Sequence, residues 1–387
     1  NGLHATTQTR WYADIGGVPG LAEEVGTLGP FVCSESVAAD YVRGTLASLW
    51  AHDCHGLLWW CAFDQKHLTR APYDWDPYER ELGLVRQNRE VKPVLKEMGD
   101  FRRRLDATGL DRLPARTTEA VCILSEGQDA WGAAYSAFIL AKQAGFDLTF
   151  QFGDQPLQDA DLYLVPSMSG SRYFSRRFWL ELLARAEAGA TVYISHRDAM
   201  YVPFVEHFGV EVVTRERRVT PARVTLPTED GDVVLPIAGP VRLNLRATQA
   251  DVLGCEVDGN PVLTRVGHGD GTLIFLSLPL ETYLSETPGV FHAENTAPYW
   301  RLYAGIAAEQ IAGRVVRKDH PMVGLTEHPE GKGRRLVVAI NYSPDRVRTT
   351  LTLQNGWEVD ALLMGKGPTE GVCEIPGNTA VVMRVAR

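Results

Sequence analysis

The spacing of apolar residues changes twice along this chain, and the changes divide it. Residues 1–16 read as the end of a helix with Trp11, Tyr12 and Ile15 on one side. Gly16-Gly17 stops it, because glycine takes left-handed backbone angles cheaply. Val18-Pro19-Gly20 leads into a strand at 21–26, followed by a loop rich in Gly and Pro. Ser34 or Ser36 then caps a helix running to about residue 51, in which Val37, Tyr41, Val42, Leu46, Leu49 and Trp50 recur at helical spacing. Asp53-Cys54-His55-Gly56 is a turn, and 57–63 is a second strand. Helix, strand, helix, strand in that order predicts parallel strands. A polar, aromatic loop runs from Gln65 to Tyr78, and a helix around 91–105, with Pro93 in its first turn, closes this part.

The rhythm shifts after Leu113-Pro114. A strand at 119–125, a helix at 130–144, strands at 147–152 and 161–166, a helix at 174–188 and a strand at 191–195 predict an open, doubly wound sheet. Residues 210–280 are more β-rich and irregular, and a strand at 272–278 and a helix near 297–312 complete the domain. Beyond Gly313 the pattern alternates at period two, as in Arg335-Leu336-Val337-Val338-Ala339-Ile340-Asn341, which predicts a small β-sandwich. The expected domains are therefore 1–113, 114–312 and 313–387. No internal repeat interrupts them.

Composition narrows the class. At 387 residues, two or three domains are expected, and 45% apolar residues suffice for sizeable cores. The net charge of −9 argues against a nucleic-acid or anionic-membrane partner. No apolar run is long enough to span a bilayer. The six cysteines are scattered, without CxxC or zinc spacing, so a reduced, cytoplasmic chain is expected. The chain opens on Asn1, so sequence upstream of it is expected. No Walker loop, Rossmann fingerprint or HExxH occurs, and neither cofactor nor metal is expected.

The candidate chemistry lies in two apolar runs that each end in a carboxylate. These are Leu21-Ala22-Glu23-Glu24-Val25-Gly26-Thr27 and Gly56-Leu57-Leu58-Trp59-Trp60-Cys61-Ala62-Phe63-Asp64. A buried carboxylate without a partner is costly, so one at a strand end invites a task. Alternation puts Leu21, Glu23 and Val25 on one face of the first strand and Ala22, Glu24 and Gly26 on the other. In a barrel the bulky face packs on helices and the small face points inward, which selects Glu24. On the second strand, Leu57, Trp59, Cys61 and Phe63 make the helix-facing side, and Leu58, Trp60, Ala62 and Asp64 the inward side. Trp60 is then an apolar platform on which a sugar ring can stack. In the following loop Asp64, His67 and Trp75 could bind sugar hydroxyls or stack on a ring. The competing reading makes Glu24 a solvated strand-end carboxylate, Trp60 a core residue and the loop simple surface. Asp53 and His55 precede the second strand and belong to its opposite, structural end.

These residues resemble the end of the barrel in clan A retaining glycoside hydrolases, such as family 5 cellulases and mannosidases. There a nucleophilic Glu ends the seventh strand as Glu-x-Gly, which Glu24-Val25-Gly26 matches, and a sugar-stacking Trp follows a Gly by four residues, as Trp60 follows Gly56. The order of parts also resembles family 42 β-galactosidases: a barrel, an α/β domain like class I glutamine amidotransferases that serves in trimerisation, and a small β domain. The resemblance implies an α/β chain made of the last two strands of an incomplete (β/α)8 TIM barrel, an amidotransferase-like doubly wound domain and a β-sandwich. It implies hydrolysis of a β-glycosidic bond by double displacement, with Glu24 as nucleophile and an oligosaccharide or glycoside as substrate. The family's acid/base is a Glu following an Asn, and no Asn-Glu dipeptide occurs here. The chain therefore reads as carrying the nucleophile but lacking the acid/base, with the N-terminal remainder of the barrel as a partner and a homo-oligomer, by resemblance a trimer, as the assembly. Amidotransferase chemistry needs a Cys at a strand-to-helix elbow, whereas Cys122 lies within a strand. Ser167 and Ser169 lack a G-x-S-x-G context, so the middle domain reads as structural or oligomerising. The alternative is a non-catalytic carbohydrate-binding or assembly module with a vestigial barrel.

Overall fold

The computed structural model describes residues 2–26, 28–75, 79–171, 173, 175–200, 204–228 and 231–387. The readings at Asn1, Thr27, Tyr78 and the first position of the helix expected at 174 fall outside the described residues. The chain forms two compact units. One is Asn1–Thr117 together with Arg314–Arg387, and the other is Thr118–Gly313.

The first unit opens with helix α1 (Leu3–Gly16), strand β1 (Ala22–Gly26), helix α2 (Glu35–Ala51), strand β2 (Leu57–Trp60) and helix α3 (Pro93–Thr108). β1 and β2 pair in parallel, as the element order predicts. Ser34 caps α2 by accepting the Val37 N–H at 3.4 Å, and Gly17 and Gly109 end α1 and α3 in left-handed conformation. The second strand is shorter than expected and stops at Trp60.

The buried face of α1 is not the aromatic one. Leu3, Ala5, Thr6, Thr7, Thr9 and Ala13 are buried, whereas Tyr12 is 63% exposed. The hydroxyls are buried with partners, as burial requires. Thr6 Oγ1 lies 2.6 Å from Ser48 Oγ, and Thr7 and Thr9 donate to the carbonyls of Leu3 and Ala5. Small residues let α1 lie close to α2, whose buried residues are also mostly small: Ala38, Ala39, Gly44, Ala47 and Ala51 among them.

The same unit ends in two antiparallel sheets. β14 (Val316–Lys318), β17 (Val347–Leu353) and β19 (Val372–Ile375) form one, and β15 (Val323–Pro329), β16 (Arg334–Asn341), β20 (Ala380–Ala386) and β18 (Glu358–Met364) the other. Val316, Leu325, Val337, Leu351, Ile375 and Met383 belong to the core between them. The outer face of the four-stranded sheet receives α2. Ala51 packs with Leu336, Val338, Ile340 and Val382, and Trp50 joins them.

The second unit is built on one nine-stranded mixed sheet in the order β4-β3-β5-β6-β13-β12-β11-β8-β9. Its parallel half contains β3 (Ala120–Leu124), β4 (Leu148–Phe152), β5 (Leu162–Met168), β6 (Thr191–His196) and β13 (Gly271–Leu276). β3 and β5 are buried at every position, as expected of parallel strands covered on both faces. Helices α4 (Ala130–Ala144) and α5 (Arg176–Glu187) supply the crossovers. The stretch that the sequence left irregular extends this sheet with antiparallel strands β12 (Pro261–His268), β11 (Asp251–Cys255), β8 (Ala222–Leu226) and β9 (Val233–Ile237). β7 (Val210–Arg217) and β10 (Val241–Ala247) pair separately. The helix expected near 297–312 is two short ones, Trp300–Ile306 and Ala308–Ala312.

Candidate active site

The geometry of β1 departs from simple alternation at its two glutamates. Ala22 pairs with Leu57 and Val25 with Trp59, so Glu23 and Glu24 together stand opposite Leu58 alone. This is a bulge, and an extra residue shifts every later side chain to the other face. Ala22 and Val25 consequently both face the helices, in a cluster with Ala5, Leu49, Leu57 and Trp59. The expectation that Ala22 shares an inward face with Glu24 is therefore corrected. The alternation argument no longer separates Glu24 from Glu23, since both are exposed.

A different feature separates them. Glu24 is held at φ +51, in the left-handed region that residues with side chains rarely adopt. Glu23 lines a cleft with Thr9, Tyr12, Ala13 and Val18, whereas Glu24 is not part of that lining. Such backbone outliers cost energy and cluster where function holds them. Gly26 completes the motif for a steric reason. It sits at φ +128, and a Cβ there would lie 2.8 Å from Cε2 of Trp59. The glycine of Glu-x-Gly thus makes room for the indole of the neighbouring strand.

Over Leu57–Trp60, β2 keeps the alternation read from the sequence; beyond the strand end it fails, and Phe63, expected toward the helices, is 59% exposed. Leu57 and Trp59 are half-buried toward the helices, while Leu58 and Trp60 are 54% and 38% exposed on the opposite face. Trp59 Nε1 donates to the Leu82 carbonyl at 3.0 Å. Trp60 Nε1 donates to Glu79 Oε2 at 3.0 Å, which orients its ring. The Trp60–Cys61 peptide is cis.

Asp64 lies elsewhere than the rim expected for it. It is 3% exposed, and its Oδ1 accepts from Lys92 Nζ at 2.6 Å and from the Gly83 N–H at 3.0 Å. Lys92 Nζ also donates to the Glu81 carbonyl at 2.8 Å. The ion pair joins the start of the loop after β2 to the start of α3. Asp64 therefore fixes the loop, and its buried oxygen is already engaged. His67 is exposed, and Trp75 is 81% exposed, both on that loop. Among the described residues no hydrogen bond or ring contact joins His67 or Trp75 to Glu24 or Trp60. Glu79 and Lys92 were not singled out from the sequence. Glu79 carries no local signal, and Lys92, in Val91-Lys92-Pro93, is visible only as a charge beside two apolar residues.

Asp53 belongs to a different place. Its carboxylate faces Arg116 at 3.5 Å, and its carbonyl accepts from Arg10 at 3.5 Å. In the second unit Ser167 closes β5 at φ +44 and is fully buried. Its Oγ donates to Glu281 Oε2 at 3.0 Å and accepts the Thr282 N–H at 3.1 Å. Tyr193 and Tyr303 donate to the other oxygen of Glu281 at 3.1 and 2.9 Å. Ser195 also donates to Glu281. The hydroxyl of Ser167 thus points into a closed polar cluster. Cys122 is buried nearby, and burial, reinforced by the Glu281 charge, pushes its thiol well above the usual range.

No protein-family model matches the chain, and no curated protein sequence does. Solved structures do. A β-galactosidase from Bacillus circulans sp. alkalophilus superimposes with a TM-score of 0.71 at 12% identity, over 98% of this chain and 58% of that one. A GH42 β-galactosidase from G. stearothermophilus gives 0.71 at 11% identity, over 100% of this chain and 57% of that one. The chain shares its fold with part of these β-galactosidases. An exo-β-1,4-mannosidase from an Opitutaceae bacterium gives 0.56 at 19% identity, over 72% of this chain and 51% of that one. The chain thus spans somewhat more than half the length of the β-galactosidases it matches. The likeness establishes the α/β architecture with its large mixed sheet. Among the described residues, no helix is long and apolar enough to cross a membrane.

Proposed function

We propose that this chain is the C-terminal part of a retaining glycoside hydrolase, and that Glu24 is its nucleophile. The observation that carries the reading is the left-handed backbone of Glu24. It lies at the C-terminal end of a strand paired in parallel with one that presents an exposed tryptophan. In this reading β1 and β2 are the last two strands of a (β/α)8 barrel, whose active sites lie at the C-terminal strand ends. The exposed face of Leu58 and Trp60, and the share of the β-galactosidases left uncovered, support a partner that supplies the other six strands.

The chemistry follows from that position. The Glu24 carboxylate attacks the anomeric carbon of a β-glycoside, forming a glycosyl ester as the aglycone leaves. A second carboxylate, roughly 5–5.5 Å away, protonates the leaving oxygen and then activates the water that releases the sugar. That acid/base comes from outside these 387 residues. Trp60, its ring oriented by Glu79, forms the floor of the −1 subsite. His67 and Trp75 lie on the rim loop and contact outer sugars, and Asp64 holds the loop through Lys92. The Thr118–Gly313 unit serves assembly, by resemblance as a trimer. The six free thiols support a reducing, cytoplasmic setting.

The test uses the complete protein. Glu24→Gln abolishes hydrolysis of an aryl β-glycoside, and a 2-fluoroglycoside labels Glu24. Label on Glu23, or turnover retained in Glu24→Gln, overturns the assignment. Sugar binding without turnover in the unaltered protein would instead favour a carbohydrate-binding module that keeps Trp60.

A further inference from the structure

A second site lies in the first unit, away from the β1–β2 strand ends. Residues of α2, α3, β18, β19, β20 and the loops beside them line a pocket of about 320 Å³, at the lower end of the range for small-molecule sites. Its floor is apolar, formed by Ala47, Phe101, Met364, Ala380 and Val381. The rest of the lining holds four cations, Arg43, Arg104, Arg346 and Lys366, one carboxylate, Glu374, and the uncharged Gly365, Pro376 and Thr379. The chain as a whole carries −9, so this concentration of positive charge runs against its average.

The four cations are not equally committed. Arg43 is held by Glu97, with Nε to Oε2 at 2.9 Å and Nη2 to Oε1 at 2.7 Å, and also pairs with Asp40. Arg346 reaches Glu374 at 3.4 Å. The side chains of Arg104 and Lys366 have no hydrogen bond or ion pair among the described residues. Two uncommitted donors beside an apolar floor fit a group that is flat and apolar at one end and anionic at the other. Two cations without a carboxylate partner beside a concave, low-dielectric surface raise the local concentration of such an anion.

We infer that this pocket binds a small organic anion, an apolar ring system bearing one carboxylate or phosphate. The ring rests on Phe101 and Met364, and the anionic head meets Arg104 and Lys366. The head must carry charge, because the floor offers few polar partners and the two cations supply most of the orientation. The inference is independent of the glycosidase reading, since none of these residues belongs to β1, β2 or the loop after β2.

Isothermal titration of the full chain with 2-naphthoate, 2-naphthyl phosphate, 2-naphthamide and inorganic phosphate tests it. At least one naphthyl anion binds, and the neutral amide and inorganic phosphate bind at least tenfold more weakly. The better of the two anions identifies the head group. Lys366→Glu and Arg104→Glu each weaken binding about fivefold or more, and added salt weakens it further. Lys366→Gln, a milder change at an exposed position, moves affinity in the same direction. Three results would each overturn the inference: equal affinity for the amide, affinity unchanged in the charge variants, or no binding of either naphthyl anion at millimolar concentration.

Discussion

Glycine at position 24 separates the backbone cost of that residue from its chemistry. Glu24 is held at φ +51, where an L-residue with a side chain is disfavoured by roughly 1–2 kcal/mol. Glycine avoids that cost but loses more chain freedom on folding, by roughly 0.5–1 kcal/mol relative to alanine. The Glu24 side chain is exposed and makes no hydrogen bond or ion pair among the described residues, so little stability leaves with it. Glu24→Gly should therefore be more stable than the unaltered chain by up to about 1.5 kcal/mol, centred near 0.75 kcal/mol, and on the proposed role turnover by the complete protein should be lost. Position 23 behaves oppositely. Glu23 has no positive φ, so Glu23→Gly brings only the entropic loss, a destabilisation of about 0.5–1 kcal/mol. In a unit of this size 1 kcal/mol moves Tm by about 2–4 °C. Thermal melts followed by circular dichroism should then separate the two variants by several degrees, with Glu24→Gly higher and Glu23→Gly lower than the parent. A Glu24→Gly protein that melts at or below the parent would falsify the claim that this residue bears backbone strain. Turnover retained in it would remove the proposed nucleophile.

Three further expectations can be checked by melting or denaturant titration. Gly26→Ala places a Cβ 2.8 Å from the Trp59 ring at φ +128, and should destabilise by about 2 kcal/mol or more, with a red shift in tryptophan fluorescence. Asp64→Asn leaves the buried Lys92 ammonium without its charge partner, and should cost about 3–5 kcal/mol. The double variant Asp64→Asn/Lys92→Met should recover part of that loss, and a strictly additive result would show that the pair is not coupled. In the second unit, burial pushes the His196 imidazole down to about 4, against the smaller opposing effect of its bond to the Ala199 carbonyl. The unfolded chain therefore takes up the proton first. Stability present above pH 6.5 should fall by up to roughly 3 kcal/mol as pH drops through 4. His196→Asn should flatten that part of the curve, and an identical slope in the variant would assign it to other groups.

The parts of the fold written in short-range pattern were legible in the sequence. β2 is an example: Leu57 and Trp59 face the helices and Leu58 and Trp60 do not, as period two requires. The cap of α2 is another: the sequence offers Ser34 or Ser36, and Ser34 is the one that accepts the Val37 N–H. What escaped depends on partners far along the chain. The bulge in β1 is defined by its pairing with β2, some thirty residues later, and nothing in Ala22-Glu23-Glu24-Val25 announces it. Asp64 was placed at the rim by extending the alternation of β2 beyond Trp60. The strand ends there, and a lysine at position 92 draws the carboxylate inside. The buried face of α1 was likewise not legible from Trp11, Tyr12 and Ile15, because its packing partner is the small-residue surface of α2, which selects Ala and Thr over Trp and Tyr. The antiparallel half of the nine-stranded sheet was seen only as β-rich, since its short strands carry no crossover rhythm.

The first unit also shows how two strands can hold Glu24 and Trp60 in fixed positions. An isolated two-stranded sheet is at best marginally stable, and β1–β2 has one apolar face exposed. Its other face rests on α1 and α2 through Ala5, Leu49 and Trp59. α2 rests in turn on the four-stranded sheet through Ala51, Leu336, Ile340 and Val382. α3 is tied to α2 by Arg43–Glu97 and to the loop by Lys92–Asp64. Each support is packed on one not built from β1 or β2. The strand ends are thereby fixed from behind while their front stays open. Preorganisation of this kind suits the proposed role of Glu24, because a nucleophile's position must be set before substrate arrives. It also predicts an order of failure. Loosening the Ala51 contact with the sheet should disturb Glu24 and Trp60 together, whereas removing Trp60 alone should leave the backbone of Glu24 in place.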